Sequence, residues 1–209
     1  MEEIKAKWSG LKSHEKKGII FLLSLGIIGI LLQIFTPDIL VTPVQQRQQI
    51  NITMPSEELQ LLAVINKYAP GYDAAANELQ KSALFNQRNN EIQNTPGYGQ
   101  YKTDWYGRLE SMGTNSDGNA YVVISIGKNI TLSTWNNSFS DIQYKTLIPQ
   151  SSPAYQAFSQ MAPGNAVKFS GHMGRSILFK NLTEAGKMTS PDILFRFETA
   201  QKVGDTITW

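Results

Sequence analysis

The chain has 209 residues, 41% of them hydrophobic and 17% charged, enough for one domain of ordinary size beside a single long apolar segment. It contains no cysteine, which excludes a disulfide framework, a thiolate metal site, a cysteine nucleophile and lipidation at cysteine. The formal net charge is +2, but when the five lysines and three glutamates before residue 18 are set apart, fourteen basic and fourteen acidic residues remain. The larger part therefore lacks the broad positive field that non-specific nucleic-acid binders use.

The first element in chain order is a basic tail, 1–17, followed by Gly18 to Phe35, GIIFLLSLGIIGILLQIF, with no charge in eighteen residues. That length is what one helix needs to cross a hydrocarbon core. Five lysines precede the segment and only Arg47 is positive in the comparable stretch after it, which puts the N-terminus in the cytoplasm and the rest outside. No small-residue cleavage site is present in LLQIFTPDILVTP, so the segment reads as an uncleaved signal anchor. Pro37, Pro43 and QQRQQ then make a polar linker, 36–55.

Ser56 with Glu57 and Glu58 predicts a helix start, the serine capping free amides and the carboxylates favouring the positive end of the helix dipole. The helix is expected from Ser56 to Tyr68, with Leu59, Leu62 and Ile65 in its apolar stripe and Pro70-Gly71 ending it. A second helix is expected from Tyr72 to Ile92, with Tyr72, Ala76, Leu79 and Ala83 on one side, closed by Asn94-Thr95-Pro96-Gly97. The repeat is too short and irregular for a coiled coil, so the pair reads as a hairpin packed on the β-rich domain C-terminal to it.

From Tyr101 the period changes to two. Strands are expected at Thr103 to Met112, with Gly107 letting the strand bend, at Ala120 to Ile126 and at Ile130 to Trp135. Asn115 to Asn119 is a hairpin turn, because an EF-hand loop counted from Asn115 would need glutamate where Ile126 stands. A helix opened by Ser152-Pro153 runs to Met161, and further strands are expected at Ala166 to Gly171 and Asp192 to Thr199. Three strands, one helix and two strands is the order of an OB-fold.

The runs ANELQKSALFNQR (76–88), DWYGRLESMGTNSDGNA (104–120), STWNNSFSD (133–141), TLI (146–148), GNAVKFSG (164–171) and NLTEAGKMTSPDILFRF (181–197) are spread from the second helix to the fifth strand, over about three fifths of the chain. They resemble an uncharacterised group of bacterial membrane-anchored proteins with a tRNA-anticodon-like OB-fold domain. The resemblance implies the fold and a bacterial envelope setting; it implies no activity.

The expected class is thus α+β: one N-terminal transmembrane helix (18–35), a helical hairpin (56–95), a five-stranded OB-fold-like β-barrel (98–203) and a C-terminal tail (204–209). The binding face of an OB barrel lies over strands two and three with flanking loops. That logic selects Tyr106, Tyr121, Thr134, Trp135, Asn136, Asn137 and Asp141, whose aromatic and amide groups suit stacking and polar recognition. A structural reading competes, in which Trp135 closes the barrel end and the asparagines cap a turn.

His14 and His172 fall on opposite sides of the anchor, so they cannot form a metal pair within one chain, and no Gly-x-Ser-x-Gly elbow is present. His172 with Arg175 could hold an anion, although a surface loop is the simpler reading. No cofactor and no catalytic residue are expected. The partners expected are a bilayer through 18–35 and another envelope protein, nucleic acid being disfavoured by the balanced charge. The chain reads first as a single-pass inner-membrane adaptor, N-terminus cytoplasmic and main domain periplasmic or extracellular. Second comes a ligand-binding OB domain for a glycan or single-stranded nucleic acid, and third an envelope hydrolase.

Overall fold

The computed structural model describes residues 52–174 and 178–207, together with Ser9, Lys12 and Ser13. The chain divides into two compact units, Met1–Gln46 and Arg47–Trp209. The expected anchor, 18–35, lies outside the described residues, and among those described no helix is long and apolar enough to cross a membrane. The second unit is α+β, with a six-stranded mixed sheet and short helices.

Its first helix, α1 (Ser56–Asp73), carries Pro70 inside it rather than stopping there. The Pro70 carbonyl still accepts the Ala74 N–H at 3.1 Å. Tyr72, buried, bonds through its hydroxyl to Glu184 at 3.3 Å, so tertiary contacts hold the last turn against the proline. Ser56 does not cap the helix: Pro55 occupies that place and no side chain caps it. Helix α2 (Glu78–Gln93) begins later than its apolar spacing implies, because the Asn77 side chain accepts the Gln80 N–H at 3.0 Å and defines the N-cap. Leu79 is 84% exposed, and the buried positions of α2 are Arg88 and Ile92.

The sheet strands are β1 (Tyr101–Thr114), β2 (Ala120–Gly127), β3 (Ile130–Ser133), β4 (Ala166–His172), β5 (Asp192–Leu194) and β6 (Arg196–Gly204). Between them lie three short helices, α3 (Ser138–Asp141), α4 (Pro153–Phe158) and α5 (Glu184–Thr189). Strand order is β5-β3-β2-β1-β4-β6. All neighbours are antiparallel except β3 and β5, which run parallel.

The strand expected from Asp192 to Thr199 is two strands divided at Phe195, so six strands replace the expected five. The reason is a change of partner. The chain pairs with β3 up to Leu194, Phe195 donates its N–H to the Ser133 carbonyl at 2.8 Å, and from Arg196 onward the chain pairs with β4. One run of chain therefore supplies both ends of the strand order. Strand β3 is likewise shorter than expected, ending at Ser133, and helix α4 ends at Phe158 rather than Met161.

The alternation on each strand sends one set of side chains into a common core: Trp105 and Leu109, Val122, Ile124 and Ile126, Ile130 and Leu132, Val167 and Phe169, and Ile193, Phe195 and Phe197. Leu61, Ile65 and Ile92 bring α1 and α2 into the same cluster. Each such side chain contributes about 1.5–3 kcal/mol on burial. Phe169, Phe195 and Phe197 meet with ring centroids 4.8–5.5 Å apart, and Phe158 of α4 lies 5.8 Å from Phe197. Gly107 has no room for a side chain, since a Cβ there would lie 2.2 Å from Ile124 Cγ2 and 2.6 Å from the Ser125 carbonyl oxygen. The glycine lets β2 cross β1 closely at that point.

Candidate functional site

The WNNSFSD run leaves the sheet at the end of β3 and forms a loop, 134–147, that returns to β2 through the pairing of Ala120 with Ile148. Its organiser is Asp141, which is buried. Asp141 Oδ1 accepts the Thr146 N–H and the Thr146 hydroxyl, both at 2.6 Å, and Oδ2 accepts the Leu147 N–H at 2.9 Å. Thr146 Oγ1 in turn accepts the Trp135 N–H at 2.9 Å. A carboxylate with this many donors holds both ends of a loop in one geometry.

Thr134 is also buried; its hydroxyl accepts the Val122 N–H at 3.1 Å and donates to the Trp135 carbonyl at 2.8 Å. The Asn137 side chain caps α3 by accepting the Ser140 N–H at 2.8 Å. The β1–β2 turn is tied to the same helix: Asn115 Nδ2 donates to Ser138 Oγ at 2.9 Å, and the Ser138 hydroxyl bonds Asp117. Within that turn Asn115 Oδ1 accepts the Asp117 and Asn119 N–H groups, as a hairpin requires. Among the described residues no group of three side chains able to hold a metal ion gathers.

Of the seven residues selected from sequence, five thus share one loop: Thr134, Trp135, Asn136, Asn137 and Asp141. The other two stand elsewhere. Tyr106 on β1 donates its N–H to the buried Glu58 carboxyl of α1, at 3.0 and 3.3 Å. Tyr121 packs on Gly113, where a Cβ would lie 2.4 Å from its hydroxyl oxygen. Glu58, expected at the helix dipole, is instead enclosed between α1 and β1, and burial pushes its carboxyl up to about 8 while the Tyr106 N–H pulls in the opposite direction.

The apolar side chains that the braced loop displays were not among the residues selected. Phe139 is 85% exposed and Ile142 70% exposed, three residues apart and next to the exposed amides of Asn136 and Asn137. Apolar residues at that spacing amid polar neighbours are the only signal the sequence carries for them. Trp135 is half-buried, its ring 6.3 Å from that of Tyr144 and 5.5 Å from Lys180 Nζ. Lys180 Nζ is held by the Thr134 carbonyl at 2.8 Å and lies 3.7 Å from Asp192. The Trp135 indole Nε1, also buried, has no acceptor among the described residues.

A cleft of about 100 Å³ near by is lined by Tyr144, Thr146, His172, Leu194 and Arg196. His172 stacks edge-on with Tyr101 at 4.9 Å and lies 3.6 Å from Glu198, which also takes the Arg196 guanidinium at 2.7 Å. Arg175, considered with His172 as an anion site, lies outside the described residues. Comparison with protein-family models, with curated proteins and with solved structures finds no match to this chain.

Proposed function

We propose that the chain is a single-pass membrane-anchored binding module whose working surface is the 134–147 loop, presented outside the cytoplasm to another envelope protein. The observation that carries this is the contrast within the loop between Asp141, buried and triply hydrogen-bonded, and Phe139 and Ile142, which protrude. Exposed apolar side chains on a loop already held rigid lose little entropy on docking, which is the arrangement of interface anchors. The anchor and its orientation rest on the uncharged run 18–35 and the lysines before it. An OB-type closed barrel is supported by the parallel β3–β5 pair and by the continuity of β5 with β6 at opposite ends of the strand order.

The test is crosslinking in intact cells from a photoreactive residue placed at position 139 of the full-length chain, with position 128 as a control on another exposed turn. One discrete adduct from 139, absent from 128 and lost on adding Ile142→Asp, is expected. Adducts of equal pattern from both positions would sink the reading. A second reading, recognition of a glycan, is favoured by the half-buried Trp135 ring beside the exposed amides of Asn136 and Asn137. It predicts that an oligosaccharide changes Trp135 fluorescence and that Trp135→Phe removes the response.

A further inference from the structure

Helix α2 and the segment around Phe179 line a second cleft, of about 310 Å³, whose walls include Phe85, Asn89, Gln93, Tyr98, Phe179 and Lys187. Its volume is at the lower end of those that hold small molecules. Directly behind the wall lies Arg88, 0% exposed. Four of the lining residues are the groups that hold it. Arg88 Nη1 donates to the Lys187 carbonyl at 2.6 Å, and Nε and Nη2 donate to Asn89 Oδ1 at 3.3 and 3.0 Å. The guanidinium lies 5.3 Å from the Phe85 ring and 5.0 Å from the Phe179 ring.

None of these partners is an anion, and among the described residues Arg88 forms no ion pair. Glu184, whose field reaches it, is hydrogen-bonded to the Tyr72 hydroxyl instead. Burial lowers the Arg88 pKa to about 10, so the group remains charged at neutral pH. A buried cation surrounded by carbonyl, amide and aromatic groups is solvated locally, Glu184 offsets its charge only from beyond ion-pair distance, and the remaining field reaches the cleft that its own partners line. Lys187, part of the same wall, adds a second positive charge beside the aromatic surfaces.

We infer that this cleft binds a small organic oxyanion, the carboxylate or phosphate group facing Lys187 and the field of Arg88, and the apolar body resting on Phe85, Phe179 and Ile92. An entering anion adds to the countercharge that Glu184 supplies only from beyond ion-pair distance. None of the residues lining this cleft belongs to the 134–147 loop, and failure of the anion site would leave that reading untouched.

The test is a titration of the full-length chain in zwitterionic detergent micelles with phenyl phosphate, inorganic phosphate and the neutral benzyl alcohol. The readout is the NMR signals of the Asn89 and Gln93 side-chain amides. Phenyl phosphate is expected to shift both saturably and more tightly than either comparison probe. Lys187→Gln, which keeps the backbone carbonyl that holds Arg88, is expected to weaken binding about ten-fold, the size of one charge-assisted contact. Arg88→Gln is expected to weaken phenyl phosphate binding as well, and an unchanged affinity in that variant would overturn the site; should it fail to fold, Lys187→Gln decides. No saturable shift, an unchanged affinity in Lys187→Gln, or benzyl alcohol binding as tightly as phenyl phosphate would overturn the anion site. Inorganic phosphate binding as tightly as phenyl phosphate would overturn the role given to the aromatic walls.

Discussion

Glu58→Gln tests whether a carboxyl enclosed between α1 and β1 controls stability. Glu58 is 0% exposed and makes one kind of polar contact, the Tyr106 N–H, so ionising it in the folded protein is costly. Its folded pKa of about 8 stands above the ordinary value of 4.5. The native state therefore holds the proton more tightly than the unfolded chain does. The contribution to stability is greatest below pH 4.5, falls as pH rises between 4.5 and 8, and is flat above that. At about 1.4 kcal/mol per pH unit, Glu58 alone removes roughly 3 kcal/mol by pH 7 and roughly 5 by pH 8.

Glutamine keeps an acceptor for the Tyr106 N–H and does not titrate, although its buried amide N–H groups cost about 1–3 kcal/mol. The net effect at pH 7 is therefore small, and the pH slope is the discriminating quantity. Urea unfolding of the full-length chain in micelles, monitored by tryptophan fluorescence between pH 5 and 8, should give a steeper decline for the native chain than for Glu58→Gln. Parallel declines would refute the enclosed-carboxyl argument, because every other titrating group is common to the two.

Three other substitutions probe the loop and the sheet. Asp141→Ala leaves the Thr146 and Leu147 N–H groups without an acceptor in the interior and should cost about 2–4 kcal/mol, with faster hydrogen exchange at Leu147 than at Val122. Gly107→Ala forces a methyl onto Ile124 and the Ser125 carbonyl and should lower stability by about 1–3 kcal/mol in thermal unfolding; a neutral result would mean that β1 and β2 separate easily there. Phe139→Asp with Ile142→Asp should change stability by less than about 1 kcal/mol, since both side chains already face solvent; a large loss of stability in thermal unfolding would show that the pair is structural.

Strand positions were legible because an alternating run such as AYVVISI can bury only one of its faces, and Val122, Ile124 and Ile126 do so. The Asn115 to Asn119 turn was legible for the same kind of local reason, its side chains closing on backbone groups two and four residues away. That residues 134–141 form one polar loop after the third strand was legible in the WNNSFSD run, but its internal bonding was not. Asp141 and Thr134 brace the loop through bonds that spacing does not reveal, because their partners, Thr146, Leu147 and Val122, lie 5 to 12 residues away.

By itself the sequence determined which segments must be hydrophobically buried and where turns must fall, since both depend on spacing among near neighbours. It also determined the uncharged run 18–35 and the charge asymmetry beside it. Tertiary structure alone decided that Pro70 stays within a helix, that Phe195 marks a change of strand partner, and that Glu58 and Arg88 are enclosed while Phe139 protrudes. In each case a contact with a residue distant in the chain outweighs the local preference, and no pattern of near neighbours specifies which distant residue that is.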